Sequence, residues 1–168
     1  CRIVYHERTG IVEPARNYAI AQAENEWVLV LDSDEVIPAA LKDYLYRFAE
    51  TAEARGYAAL KMARKNYFMG RFMHGDYPDY IIRLIRRSKT FWPEQIHARP
   101  VIEGRVFTIP ARRRELAMEH LANESVAARI AKTNQYTDKE MIRREGQDFS
   151  VGSAWLKCAW RFVRFYIV

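Results

Sequence analysis

The apolar positions of this chain fall first into an alternation of short runs and helical stripes, then into longer extended runs. Arg2 to His6 reads as a short strand, broken by Thr9 and Gly10. Pro14 suits the first turn of a helix, where its missing N–H costs nothing, and Glu13 ahead of it meets the positive end of the helix dipole. That helix runs through ARNYAIAQAE. Trp27 to Leu31, WVLVL, is an unbroken apolar run of the kind found where helices cover both sheet faces. Pro38 opens the next helix, in which Leu41, Tyr44, Leu45 and Phe48 fall at i, i+3, i+4 and i+7 and form one stripe. Gly56 closes it.

Beyond Gly56 the rhythm changes. Tyr57 to Phe68 and Tyr77 to Arg87 read as strands around the loop MGRFMHGDYPD, and a third extended region covers Phe91 to Pro110. Asn123 is placed to cap a helix reaching about Arg144, and an aromatic helix spans Val151 to the end. The order predicts an α/β fold: a mixed, partly parallel sheet flanked by helices over residues 1–122, then a helical extension over residues 123–168.

Composition fits that picture. A chain of 168 residues with 49% hydrophobic positions can bury a sizeable core, and its charge content is that of a globular protein. The net charge of +6 favours polyanionic partners, whether nucleic acid, anionic membrane or phosphorylated small molecules. Cys1 and Cys158 sit at opposite ends with no metal or redox spacing, as expected of free thiols in a reducing compartment. No secretory leader is visible, and no uncharged apolar run is long enough to span a membrane. The chain opens with Cys rather than Met on a strand already under way, as a fragment or front-trimmed chain would.

Chemistry concentrates where WVLVL runs into Asp32, Ser33, Asp34 and Glu35. In open α/β sheets, ligands collect at the carboxyl ends of strands. Strand alternation would aim Asp32 and Asp34 to one side, a hard-oxygen pair suited to Mg²⁺ or Mn²⁺ and through it to a diphosphate. The competing reading is a solvated acidic turn in which Asp34 or Glu35 caps the helix opened by Pro38.

EPARNYAIAQAENEWVLVLDSDEVIP resembles the central segment of the inverting family 2 glycosyltransferases, which have the GT-A fold. YPDYIIRLIRR, QIH and KTNQYT extend the resemblance, in order, to the bacterial subgroup that includes lipopolysaccharide core glucosyltransferases. The resemblance implies a nucleotide-sugar donor, a UDP-sugar by expectation, with Asp32 and Asp34 at the metal and diphosphate and Arg16 near the donor. It also implies a glycan or lipid-linked acceptor of the cell envelope. Family members begin with two strands and a Tyr-Asn-like loop that would lie before Cys1.

An inverting transfer needs a group to take the acceptor proton. Asp79, at the head of YIIRLIRR, is the first candidate, with fixing of the loop after Pro78 as its alternative role; Glu94 is the second candidate base. His97 matches a family position usually followed by Glu, here Ala98, and is a candidate third metal ligand or diphosphate contact. Trp92 suits either a sugar platform or the core. Arg83, Arg86 and Arg87 read as a solvated strand edge, with phosphate contact as the alternative.

In the tail FSVGSAWLKCAWRFVRFYIV, Lys157, Arg161 and Arg164 share one helical face opposite Trp155, Cys158, Phe162, Phe165 and Tyr166. A basic stripe opposite an aromatic face suits a helix lying in a membrane interface, and the three charges argue against spanning. Packing on the domain is the plainer use of such a face. Together these features predict an enzyme peripheral to the inner face of the cytoplasmic membrane. Two alternatives are a nucleic-acid-binding module, disfavoured because the basic residues are scattered, and an inactive fragment that only docks on membrane or partner.

Overall fold

A computed structural model describes residues 2–7, 12–52, 55–94, 98–122, 125–143 and 150–166. Two compact units divide at Ala122. The first contains helices α1 (Glu13–Ala21) and α2 (Ala39–Ala52) and strands β1 (Trp27–Leu29), β2 (Glu35–Val36), β3 (Tyr57–Phe68), β4 (Arg71–Phe72), β5 (Asp79–Arg86), β6 (Thr90–Phe91), β7 (Val101–Ile102), β8 (Arg105–Thr108) and β9 (Met118–Ala122). The second contains helices α3 (Val126–Arg143) and α4 (Val151–Tyr166).

Among the described residues, the main sheet runs β1-β5-β3-β9-β2, with β4 and β8 also paired to β3. β3 organises it. Along one edge it pairs antiparallel with β5, from Ala59↔Ile85 to Arg64↔Asp79. Along the other it pairs in parallel with β8 over its first half and β9 over its second. The expected mixed α/β sheet with flanking helices is therefore present, with parallel pairing centred on β3. WVLVL is not part of a parallel pair: β1 is antiparallel to β5.

Side-chain alternation sends neighbouring residues to opposite faces of this sheet. Leu60 and Leu84 join Leu41, Leu45 and Phe48 of α2 in one cluster, while Ala59 and Ile85 join Ile20 of α1 and Trp92 in another. The α2 stripe is the one its periodicity predicts, with Tyr44 at its margin. Each fully buried Leu or Phe contributes about 1.5–3 kcal/mol relative to exposure. Gly56, at φ +72°, takes the left-handed conformation expected where the chain turns from α2 into β3.

Several local expectations need correction. Residues 2–6 form no strand, because no described strand lies beside them; Ile3 and Tyr5 are exposed. Helix α1 stops at Ala21, three residues short of the pattern's end. β1 stops at Leu29, although the Val30 N–H still bonds to Arg83 O at 2.9 Å, and Leu31 is exposed. The region from Phe91 to Pro110 breaks into three short strands rather than one. Asn123, the predicted cap of α3, lies outside the described residues.

Candidate active site

After β1 the chain leaves the sheet end, turns at Ser33–Asp34, and rejoins the opposite edge as β2. Residues 30–36 therefore cross from the β5 side of the sheet to the β9 side. Backbone bonds anchor the crossing: Glu35 N–H to Asp32 O at 3.0 Å, and Leu121 N–H to Asp34 O at 2.8 Å. Side chains from β5, β3 and β9 meet it from below. This crossing explains why carboxylates follow an apolar run directly.

Asp32 and Asp34 have different partners. The turn between them breaks the strand alternation that would have aimed both to one side. Asp32 accepts from Arg16 Nη2 at 2.9 and 3.2 Å and from Arg83 Nη2 at 2.5 Å. Asp34 Oδ2 lies 3.2 Å from His120 Nε2 on β9. His120 Nδ1 is in turn 2.9 Å from Asn66 Oδ1 on β3. An imidazole whose second nitrogen is fixed by a neighbouring acceptor is oriented as metal-binding histidines usually are.

Glu35 caps no helix. Its side chain is fully buried and ion-paired to Arg83 Nη2 at 2.5 Å and Arg64 Nη1 at 3.2 Å, and it also accepts the Asp32 N–H at 3.1 Å. Arg83 is only 2% exposed, so it is no solvated edge residue. Charge burial of this kind is tolerated only with such pairing. Arg86 and Arg87 are not free edge residues either: they bind Glu26 and the Ala23 carbonyl, stitching β5 to the α1–β1 connection.

Asp79 stands at the start of β5. Arg64 Nε and Nη2 and Asn66 Nδ2 all donate to its Oδ2, at 3.0, 2.7 and 3.0 Å. Among the described residues, no protein hydrogen bond goes to Oδ1. Burial works to raise the Asp79 carboxyl, but the bonds from Asn66 and Arg64, with the charge of Arg64, hold it below the ordinary carboxylate value. The same competition ends the same way at Asp32: burial opposes ionisation, and Arg83 and Arg16 outweigh it. Both are ionised at neutral pH.

A cleft of about 350 Å³ lies beside this network, with Arg16, Asp32, Arg64 and Asp79 in its lining and Trp92 in its wall. Trp92 is 3% exposed, a core residue whose ring lies under the Arg16 guanidinium at 4.9 Å. Asn17 locks it there. Its amide donates to Trp92 O at 2.6 Å and accepts the Trp92 N–H at 2.9 Å, and the indole N–H reaches Ala98 O at 2.9 Å. Glu94 is exposed on the segment that follows. His97 lies outside the described residues.

The structure thus brings Arg16, Asp32 and Asp79 to one cleft, with Asp34 on the same crossing segment. Sequence reading missed Arg64, Asn66, His120 and Asn17. Arg64 and Asn66 did carry a signal, as alternate members of the polar run Arg64–Asn66 that interrupts the apolar pattern of β3 and so share one face of the strand; His120 carried none that periodicity detects.

Asp32 already holds two guanidinium groups, whereas Asp34 and His120 face each other with 45% and 23% of their side chains exposed. Asp34 offers the carboxylate oxygen that Mg²⁺ or Mn²⁺ would take, and the oriented imidazole beside it would add a nitrogen ligand that suits Mn²⁺ better than Mg²⁺. Among the described residues, no third His, Cys, Asp or Glu completes a cluster with them, so further ligands would come from substrate or water.

The family model of Glycosyl transferase family 2 matches residues 1–121, which take in the carboxylate crossing and all of the sheet but its last residue, Ala122. With the motif order and the mixed sheet already in place, that match means that the chain belongs to glycosyl transferase family 2, whose chemistry is glycosyl transfer from a nucleotide-sugar donor to an acceptor.

Proposed function

We propose that this protein transfers a sugar from a UDP-sugar, with inversion, to a glycan or lipid-linked acceptor of a bacterial envelope such as the lipopolysaccharide core. The observation that carries the reading is the crossing segment itself, which holds Asp34 against His120 on one side and Asp32 against the cleft on the other. Asp34 and His120 would hold Mg²⁺ or Mn²⁺. Such an ion supplies charge neutralisation for a departing diphosphate.

In this reading Arg16 and Asp32 shape the donor side of the cleft. Asp79, ionised and held by its Oδ2, keeps Oδ1 to accept the acceptor hydroxyl proton as that oxygen attacks the anomeric carbon and the nucleoside diphosphate leaves. Its depressed pKa makes it a weak base, so positioning by Arg64 and Asn66 must supply what basicity does not. Glu94 is the second candidate for the same proton.

We further assign α4 to the inner surface of the cytoplasmic membrane. Trp155, Leu156, Trp160 and Phe162 are 73, 74, 66 and 59% exposed, beside the exposed Lys157 and Arg161, and the helix contains no acid. Aromatic area with basic flanks suits an anionic lipid interface. No helix among the described residues is long and apolar enough to cross a membrane.

The test is turnover of a panel of nucleotide-sugars with Mn²⁺ present. Asp34→Asn should lower kcat about a hundredfold or more, as loss of a charge-stabilising group does. Turnover equal to that of the unmodified protein would overturn the reading.

A further inference from the structure

The charges lining the cleft are unequally matched. Arg16, Arg64 and Arg83 are each paired with Asp32, Glu35 or Asp79. Two further cations line the same cleft, Lys61 and Arg99. Neither makes an ion pair among the described residues. Glu13, buried at the first turn of α1, is the remaining acid of the lining.

Lys61 is the more telling of the two. It lies mid-strand on β3, half-buried, and its ammonium sits 5.2 Å from the centre of the Tyr80 ring. Tyr80 itself is tied to Ile109 O at 3.3 Å, so the ring is held in place. An ammonium partly withdrawn from water, with a ring face as its one compensation among the described residues, has unmet demand for an anion. Arg99, across the lining and exposed, brings a second set of donors in a planar fork that suits phosphate. The cleft, at about 350 Å³, is large enough for a small ligand rather than a lone ion.

Asp34 and His120 are not in this lining.

We propose that Lys61 and Arg99 form a subsite for a phosphate group carried by a ligand of the cleft. The subsite stands on the lining itself; only the source of the phosphate, donor or acceptor, rests on the transfer reading.

Calorimetric titrations of the protein in metal-free buffer test it, with inorganic pyrophosphate, UDP, and glucose 6-phosphate added after UDP as probes. Lys61→Gln is compared with Lys61→Arg, and exposed Arg99→Gln serves as a variant with little folding risk. Loss of one charged hydrogen bond predicts weakening of about tenfold or more for Gln, with substantial retention for Arg. Weaker UDP and pyrophosphate binding in both Gln variants assigns the subsite to the donor. Unchanged UDP with lost glucose 6-phosphate binding assigns it to a phosphorylated acceptor. Binding of all three probes that is insensitive to both Gln variants, or absent from the unmodified protein, overturns the proposal. Lys61-dependent pyrophosphate binding in a protein that turns over no nucleotide-sugar would keep the subsite and sink the transfer reading alone.

Discussion

Arg83→Met probes the charge network under the crossing segment. One nitrogen, Nη2, lies 2.5 Å from both Asp32 Oδ2 and Glu35 Oε1. Asp32 is 39% exposed and can rehydrate when that nitrogen goes. Glu35, with no exposed side-chain area, cannot, and is left with Arg64 at 3.2 Å and one backbone N–H. Removing one partner of a buried pair costs about 3–5 kcal/mol. Because Arg64 still compensates part of the charge, the lower end applies, about 3 kcal/mol. For a chain of this size that lowers Tm by about 6–12 °C. Urea unfolding and calorimetry measure it, together with a second background, Glu35→Gln, in which no buried charge is orphaned. There the Arg83→Met loss should shrink to about 1 kcal/mol or less. An equal loss in both backgrounds would refute the coupling between Arg83 and Glu35.

Asp32 and Asp79 both have folded pKa values below their unfolded ones, so the stability they contribute is present above the unfolded carboxylate value and is lost as pH falls through the lower folded values. The urea midpoint should therefore drop as pH falls below about 4, and less so in an Asp32→Asn, Asp79→Asn double variant. Gly104 adopts φ +133°, and a Cβ there would sit 2.9 Å from the Ala58 Cβ; Gly104→Ala should cost about 1–3 kcal/mol in urea unfolding. Asn17→Ala removes both bonds to the Trp92 backbone and should speed amide exchange around Trp92 about tenfold or more, since two net hydrogen bonds are lost. Exchange unchanged at Trp92 would mean that burial of the indole holds the segment alone.

The elements legible in the sequence were those whose partners could be guessed from their own periodicity. β3 has the limits its pattern predicted, and α2 buries the predicted stripe, because each presents a continuous face to one core. Residues 2–6 have a strand-like pattern but no strand beside them among the described residues, and periodicity carries no information about a partner. In DYIIRLIR the pattern contained a clue that was read the wrong way: an arginine inside an apolar run is buried and paired more readily than it is an edge. The separate destinations of Asp32 and Asp34 were beyond reach, because they depend on a turn at Ser33–Asp34 and on β9 pairing next to β2. His120 is 86 residues from Asp34, and the contact exists only once β3 has brought β9 into register.

The central claim is a division of labour along the crossing segment, with Asp34 and His120 as the metal pair and Asp32 committed to Arg16 and Arg83. Titration of Mn²⁺ followed by electron paramagnetic resonance, with UDP present, measures it directly. Asp34→Asn and His120→Ala should each weaken Mn²⁺ binding about tenfold or more, the scale expected for a lost ligand or its orienting shell. Mn²⁺ binding that survives both substitutions undiminished would contradict the account.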